Sequence, residues 1–97
     1  MIFTLIVKPI AEKDIQKAYD WYEEKQVDLG EAFLDQIDIA FEQITSRPKA
    51  FQKRYNEVRI NFIKQFPYGV HYIIEQKKVI VLAVFGESQS PDLWNKR

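Results

Sequence analysis

The hydrophobic periodicity of this chain changes from helical to strand-like at Pro48, and this change constrains the fold more than any other feature. Before Pro48, apolar residues recur at helical spacing in two stretches: Ala11, Ile15, Ala18 and Tyr22, then Phe33, Ile37, Ala40 and Ile44. After it, apolar residues recur at every second position in two further stretches: Val58, Ile60 and Phe62, then Val70, Tyr72 and Ile74. The pattern predicts two helices followed by a sheet.

Local signals set the predicted helix boundaries. Pro9 is favourable at the first position of a helix, where its missing N–H costs nothing. Asp28 and Glu31 have the spacing of a capping box, so we expect them to begin the second helix after a tight corner. Pro48 disfavours helical backbone at the residue before it, so that helix should end near Ser46.

Four segments are predicted to form strands. They are the apolar start 1–7, the alternating segments 58–63 and 70–74, and the segment 79–85, which is apolar on both faces. The predicted fold class is α+β with the order β-α-α-β-β-β, a helical hairpin packed on a small antiparallel sheet. From its length of 97 residues we expect the chain to form one domain, 1–97.

Composition excludes several classes of site. The sequence has no cysteine, so disulfides, thiolate zinc sites and cysteine nucleophiles are excluded. The longest apolar run, Val79 to Phe85, is far shorter than the roughly 20 residues that span a bilayer. Residues 1–7 lack a basic leader and a cleavage site, so we expect a cytoplasmic protein.

The net charge is zero, but the charges are segregated. Residues 1–46 hold four lysines and ten acids, which gives −6, and residues 47–97 hold ten basic residues and four acids, which gives +6. Such asymmetry indicates a polar partner for each half. The alternative is that the two halves attract each other and their outer faces are simply solvated.

A set of short sequence motifs runs along nearly the whole chain. In order they are Trp21-Tyr22, Leu29-Gly30 with Phe33-Leu34, Pro48, Val58-Arg59, Phe66-Pro67-Tyr68 with Tyr72, Val81 to Phe85, and Pro91 with Trp94 and Arg97. In this order and spacing they resemble the RelE/ParE toxin superfamily, and more closely its ParE-like branch.

The resemblance implies the toxin of a type II toxin–antitoxin system, of the kind associated with plasmid stabilisation. Its partner would be a cognate antitoxin from the adjacent gene, with Trp21 and Tyr22 lining the antitoxin groove. ParE-like members inhibit DNA gyrase, whereas RelE-like members cut messenger RNA on the ribosome. No cofactor and no membrane partner is implied, and a homodimer and a toxin–antitoxin hetero-oligomer are both open.

The residues that RelE-like members use for RNA cleavage are mostly replaced. Gly69 stands where an arginine often follows the tyrosine of the hairpin, and Ser88 or Gln89 stands at a basic loop position. Trp94 replaces a tyrosine that could transfer a proton, and Gly86 stands where ParE-like relatives commonly carry a histidine. The resemblance therefore favours a toxin that binds its target over an enzyme.

The remaining candidates for chemistry are Arg59, Lys64 and His71, with Asn61 beside them. We expect Arg59, Asn61 and His71 on the sheet face away from Val58, Ile60 and Phe62. Arg59 could bind a phosphate or a carboxylate, or pair with Glu75 across the hairpin. A lone histidine predicts neither a base nor a metal site.

The residues expected to contact a target or nucleic acid are basic or aromatic: Lys49, Lys53, Arg54, Arg59, Lys64, Trp94, Lys96 and Arg97. Trp94, Trp21 and Tyr22 could instead be core residues. Two other functions stay open: a ribosome-dependent endoribonuclease that uses Arg59 and Lys64, and an inactive homologue that still binds an antitoxin.

Overall fold

A computed structural model of the chain describes residues 3–89. Its elements follow in the order β1 (Thr4–Val7), α1 (Pro9–Lys25), α2 (Leu29–Ser46), a short 3₁₀ helix (Pro48–Ala50), β2 (Lys53–Tyr55), β3 (Val58–Phe62), β4 (Tyr68–Glu75) and β5 (Lys78–Gly86). The predicted α+β architecture is confirmed, with one additional short strand, β2.

The two helices form the predicted hairpin, but the corner between them is not a capping box. Asp28 has a left-handed backbone (φ 72°) and makes no side-chain cap. The carboxylate of Glu23 in α1 instead accepts hydrogen bonds from the backbone N–H groups of Asp28 and Gly30, each at 3.0 Å. The local sequence pattern could not predict a cap supplied by the preceding helix, because such a cap depends on how the two helices pack against each other.

The sheet has the order β1-β5-β4-β3-β2 and is mixed. β3, β4 and β5 pair antiparallel as predicted, and β2 adds an antiparallel edge. β1 pairs parallel to β5, with Leu5 opposite Val79, so the expectation of a purely antiparallel sheet is wrong. Parallel neighbours need a long crossover, and the helical hairpin between β1 and the sheet begins that connection.

The helices cover one face of the sheet, and the core lies between the two layers. An aromatic cluster fills the part of the core near the corner between the helices. Tyr22 of α1 stacks on Phe33 of α2 at 5.5 Å between ring centroids, and it meets Phe66 edge-on at 4.8 Å. Phe33 also meets Tyr68 of β4 at 5.3 Å. These rings connect both helices to the start of the β4–β5 hairpin.

The alternation in β3 is real, but the predicted faces are reversed. Arg59 and Asn61 point toward the helices: Arg59 lies opposite the core residue Tyr72, and Asn61 contacts α2. Ile60 and Phe62 share the open face, the face that the helices do not cover, with His71 opposite Ile60. Alternation shows which residues share a face, but it does not show which face the helices will cover.

Candidate functional site

The candidate group of Arg59, Asn61 and His71 is divided between the two faces of the sheet. The Arg59 guanidinium donates to the backbone carbonyl of Phe51 at 2.6 Å and does not lie opposite Glu75. The buried Asn61 amide donates to the side chain of Gln43 in α2 at 3.0 Å. Because buried polar groups need partners, both contacts explain why these residues are inside. Asn61 therefore connects the sheet to α2, and Arg59 connects it to the segment after α2.

His71 lies on the open face but has almost no exposed surface. Its Nδ1 atom is 2.9 Å from the Tyr55 hydroxyl, and its ring meets Phe85 edge-on at 5.1 Å. With 1% of its surface exposed, the imidazole offers no approach to a substrate. The structure thus gives His71 a packing position between β2 and β5.

Gly69 shows why the open face has no cation at the position after Tyr68. A Cβ atom at Gly69 would lie 2.7 Å from Cγ2 of Ile60 and 3.1 Å from Cδ1 of Phe62. Both neighbours project over the glycine from β3, so any side chain there would collide with them. Apolar packing of this chain occupies the space that an arginine would need.

The tyrosines near the helix–sheet interface are held in the protonated form. Burial raises the pKa of Tyr72 to about 12, against a smaller opposing effect of Arg59. Burial also raises the pKa of Tyr68, and burial with Tyr68 nearby raises the pKa of Tyr22. A tyrosine base needs a pKa lowered toward neutrality, so these three hydroxyls are unsuited to that role.

Trp21 and Tyr22 both line one groove. We call it the aromatic groove; it has a volume of about 500 Å³ and lies between α1 and the ends of β4 and β5. Trp21 is 53% exposed, with the Lys25 ammonium 4.7 Å from its ring centroid, whereas Tyr22 belongs mainly to the core cluster. The other lining residues are Asp14, Lys17, Ala18, Pro67, Tyr68, Val84, Gly86, Ser88 and Gln89.

Four of the basic residues expected to contact a target, Lys49, Lys53, Arg54 and Lys64, lie between the 3₁₀ helix and the residues just beyond β3. Together with Arg47, which was not among the expected residues, we call them the basic edge. All five are exposed, in contrast to Arg59. Lys53 pairs with Glu57 at 2.9 Å. Trp94, Lys96 and Arg97 lie outside the described residues.

Phe62 at the basic edge was missed by sequence reasoning, because the alternation assigned it to the buried face. It is 41% exposed, and the Arg54 guanidinium lies 5.4 Å from its ring centroid. The nearest sequence signal is Lys64 just beyond it, which indicates that β3 ends at the surface. The pairing with Arg54 depends on the register of β2 and could not be read locally.

The helical hairpin carries the acidic half of the charge. At its surface, partial burial and the Glu31 and Glu23 carboxylates raise the pKa of Tyr19. Residues 3–89 contain no group of three or more His, Asp or Glu side chains placed to hold a metal ion. Within the same range, no helix has both the length and the apolar character to cross a membrane.

The comparison with protein families assigns this sequence. The family described as the ParE toxin of the type II toxin–antitoxin system, parDE, matches residues 5–91. The match covers far more than half of the chain, so the chain belongs to the ParE toxin family. No curated protein sequence matches the chain significantly.

Solved structures support the fold. A chromosomal ParDE toxin–antitoxin system from P. aeruginosa is similar with a TM-score of 0.71 and 16% identity, over 88% of this chain and 96% of that chain. The toxin–antitoxin complex RelBE2 from Mycobacterium tuberculosis is similar with a TM-score of 0.61 and 14% identity, over 92% and 95%. At such low identity the likeness concerns the fold alone.

Proposed function

We propose that this ParE-family protein acts by binding its target rather than by acid–base catalysis. The observation that carries the proposal is the apolar packing of Ile60 and Phe62 over Gly69. It occupies the part of the open face where a nuclease of this fold would need a cation. The internal use of Arg59 supports the same conclusion, because it leaves that guanidinium engaged with the Phe51 carbonyl.

The proposed target is DNA gyrase, which the family resemblance implies for ParE-like toxins. The proposed inhibitor is a cognate antitoxin, and the two similar solved structures, both named as toxin–antitoxin systems, support this part. Both interactions would take place in the cytoplasm. The alternatives are a ribosome-dependent nuclease and an inactive homologue that keeps its antitoxin.

The aromatic groove is the proposed antitoxin site. An exposed tryptophan beside a groove of about 500 Å³ is typical of a surface that receives an apolar side chain from a partner helix. Asp14 and Lys17 on its wall place both signs of charge beside the apolar floor. A partner helix with one apolar face and polar flanks would fit this lining.

The mechanism is tested with the purified chain in two parallel assays. We expect inhibition of supercoiling by DNA gyrase and intact messenger RNA in a ribosome-dependent cleavage assay. Cleaved messages with unaffected gyrase would establish the nuclease alternative. If neither assay responds and expression in bacteria leaves growth normal, the inactive homologue is the correct assignment.

The antitoxin site is tested with Trp21→Ala and the protein encoded by the adjacent gene. Truncating a central interface tryptophan should weaken the complex at least about tenfold, equivalent to ~1.4 kcal/mol. Val27→Ala is the matched control, because Val27 is 76% exposed at the helix corner and does not line the groove. Equal affinities of the two variants would remove the groove from the proposal.

A further inference from the structure

The sequence segment that forms the β2 side of the molecule is strongly basic. Residues 47–64 hold six basic side chains and a single acid, Glu57. Of the six, only Arg59 is turned inward, and the remaining five form the basic edge. Lys53 has an acidic partner in Glu57, which leaves a marked excess of positive charge at this surface. An excess of exposed cations favours a polyanionic partner.

An exposed aromatic ring lies next to one of these cations, Arg54. Phe62 is the last residue of β3, and its ring lies over Gly69 of β4. The Arg54 guanidinium of β2 lies 5.4 Å from the centroid of the ring. Gly69 gives the ring room, because a Cβ there would be 3.1 Å from it. The ring and guanidinium form a platform of a kind on which nucleobases stack, since every base has a π face.

A groove of about 380 Å³ adjoins the platform. It runs between α2 and β3, and both Phe62 and Lys64 line it. Gln36 and Gln43 of α2 contribute amide groups, and amides can donate and accept hydrogen bonds at base edges. Phe62 therefore takes part in both the platform and the groove, and Lys64 adds a cation to the groove.

We propose that the basic edge together with Phe62 binds single-stranded nucleic acid, with an unpaired base on the Phe62–Arg54 platform and the phosphates on the neighbouring cations. The aromatic ring decides between the polyanions: an acidic peptide needs only the charges, and a duplex keeps its bases stacked on one another. The shared chemistry of single-stranded DNA and RNA is an unpaired base on a phosphate backbone. The proposal does not depend on gyrase or on an antitoxin.

The test uses the purified full chain and labelled oligothymidylate, oligouridylate and duplex DNA of about 15 nucleotides or base pairs, the upper range of one binding site. Fluorescence anisotropy between ~50 and ~200 mM salt should show tighter binding of the single strands than of the duplex. Affinity should fall with salt, and Lys64→Ala should make that dependence shallower by about 0.7 in logarithmic slope. The two single strands distinguish a DNA ligand from an RNA ligand.

Phe62→Leu removes the π face and keeps an apolar side chain over Gly69. It should weaken binding by about 5- to 100-fold, whereas Phe62→Trp should preserve it. The matched control is Ile10→Ala. Ile10 is also an exposed apolar residue, but it lies on the acidic hairpin and lines neither groove, so its replacement should leave the affinity unchanged.

The proposal fails if no single strand binds at the lowest salt, if Phe62→Leu binds as well as the wild type, or if the duplex and an oligoglutamate peptide compete as effectively as the single strands. Thermal unfolding of each variant separates binding from folding. Should Phe62→Leu not fold, Arg54→Ala decides the outcome against Lys25→Ala, which makes the same charge change at the end of α1.

Discussion

Arg54 and Arg59 lie on neighbouring strands at the same corner of the molecule, yet their environments are opposite. Arg59 is turned toward the helix side of the sheet and donates to the Phe51 carbonyl at 2.6 Å. Arg54 is exposed and lies over the Phe62 ring. The comparison shows that a basic side chain on a strand is a candidate for contacting a partner only when it does not form a hydrogen bond that stabilises the fold. The inner arginine stabilises the segment after α2, and the outer one is available to a partner.

The largest expected effect concerns Arg59. Arg59→Met should lower the free energy of unfolding by about 1.5–3 kcal/mol, because it removes a charge-assisted hydrogen bond to a partly buried carbonyl. Arg54→Met should change it by less than about 0.5 kcal/mol, as expected for an exposed residue. Urea unfolding of both variants measures the difference. Equal losses would break the comparison, since they would mean that Arg54 also stabilises the fold.

Gly69 extends the comparison to the open face of the sheet, where apolar packing leaves no room for a basic side chain. Gly69→Ala should cost about 1–3 kcal/mol through overpacking against Ile60 and Phe62. Gly86→Ala is the control, because a Cβ there would be 3.5 Å or more from its nearest neighbours, an ordinary contact. Chemical denaturation of the two variants tests this. If Gly69→Ala were as stable as Gly86→Ala, the open face would have room for a side chain and the argument against a cation there would weaken.

Tyr72 lies on the same helix-facing side of the sheet as Arg59, and its contribution to stability should depend on pH. Its buried hydroxyl donates to the Pro48 carbonyl, so Tyr72→Phe should cost about 0.5–1.5 kcal/mol at neutral pH. The pKa of Tyr72 is raised to about 12 in the folded protein, above the value of about 10 for an unfolded chain. Between these values the unfolded state releases the proton first, so the wild type should lose stability as pH rises by up to about 1.4 kcal/mol per unit.

The Phe variant lacks the Tyr72 contribution, so its stability relative to the wild type should improve from pH ~10 to ~12. Denaturant midpoints at neutral and alkaline pH provide the measurement. A constant difference between the two proteins across this window would contradict the assigned burial of the hydroxyl.

The smallest effect is expected at the Lys53–Glu57 pair of the basic edge. Both side chains are largely exposed, so a double-mutant cycle with Lys53→Ala and Glu57→Ala should give a coupling of less than about 0.5 kcal/mol. Thermal unfolding at low and high salt measures it. A larger, salt-insensitive coupling would place this pair with Arg59 among the structural contacts.

Much of the fold could be predicted because its signals are local. Pro9 and Pro48 act on their own backbone, and the apolar stripes of α1 and α2 follow from helical geometry. The resemblance to ParE-like toxins rested on short sequence motifs distributed along the chain, and the family comparison confirmed it. The assignment of Trp21 and Tyr22 to an antitoxin groove came from the resemblance and stays a prediction.

The candidate site was less predictable. Arg59, Asn61 and His71 were grouped because they alternate with apolar residues, but the grouping needed the register between β3 and β4. That register places His71 opposite Ile60, on the other face from Arg59 and Asn61. The exposure of Phe62 was missed for the same reason.

The sequence by itself determined the helical hairpin, the succession of strands and the segregation of charge, because each depends on residues near one another in the chain. Tertiary structure decided the parallel pairing of β1 with β5, the cap that Glu23 provides, and the face on which each residue of β3 lies. These features depend on contacts between segments that are distant in the sequence. A local pattern does not show which distant segments will come together. The difference between Arg54 and Arg59 belongs to this second group, since identical side chains acquired different roles only when the sheet took its register.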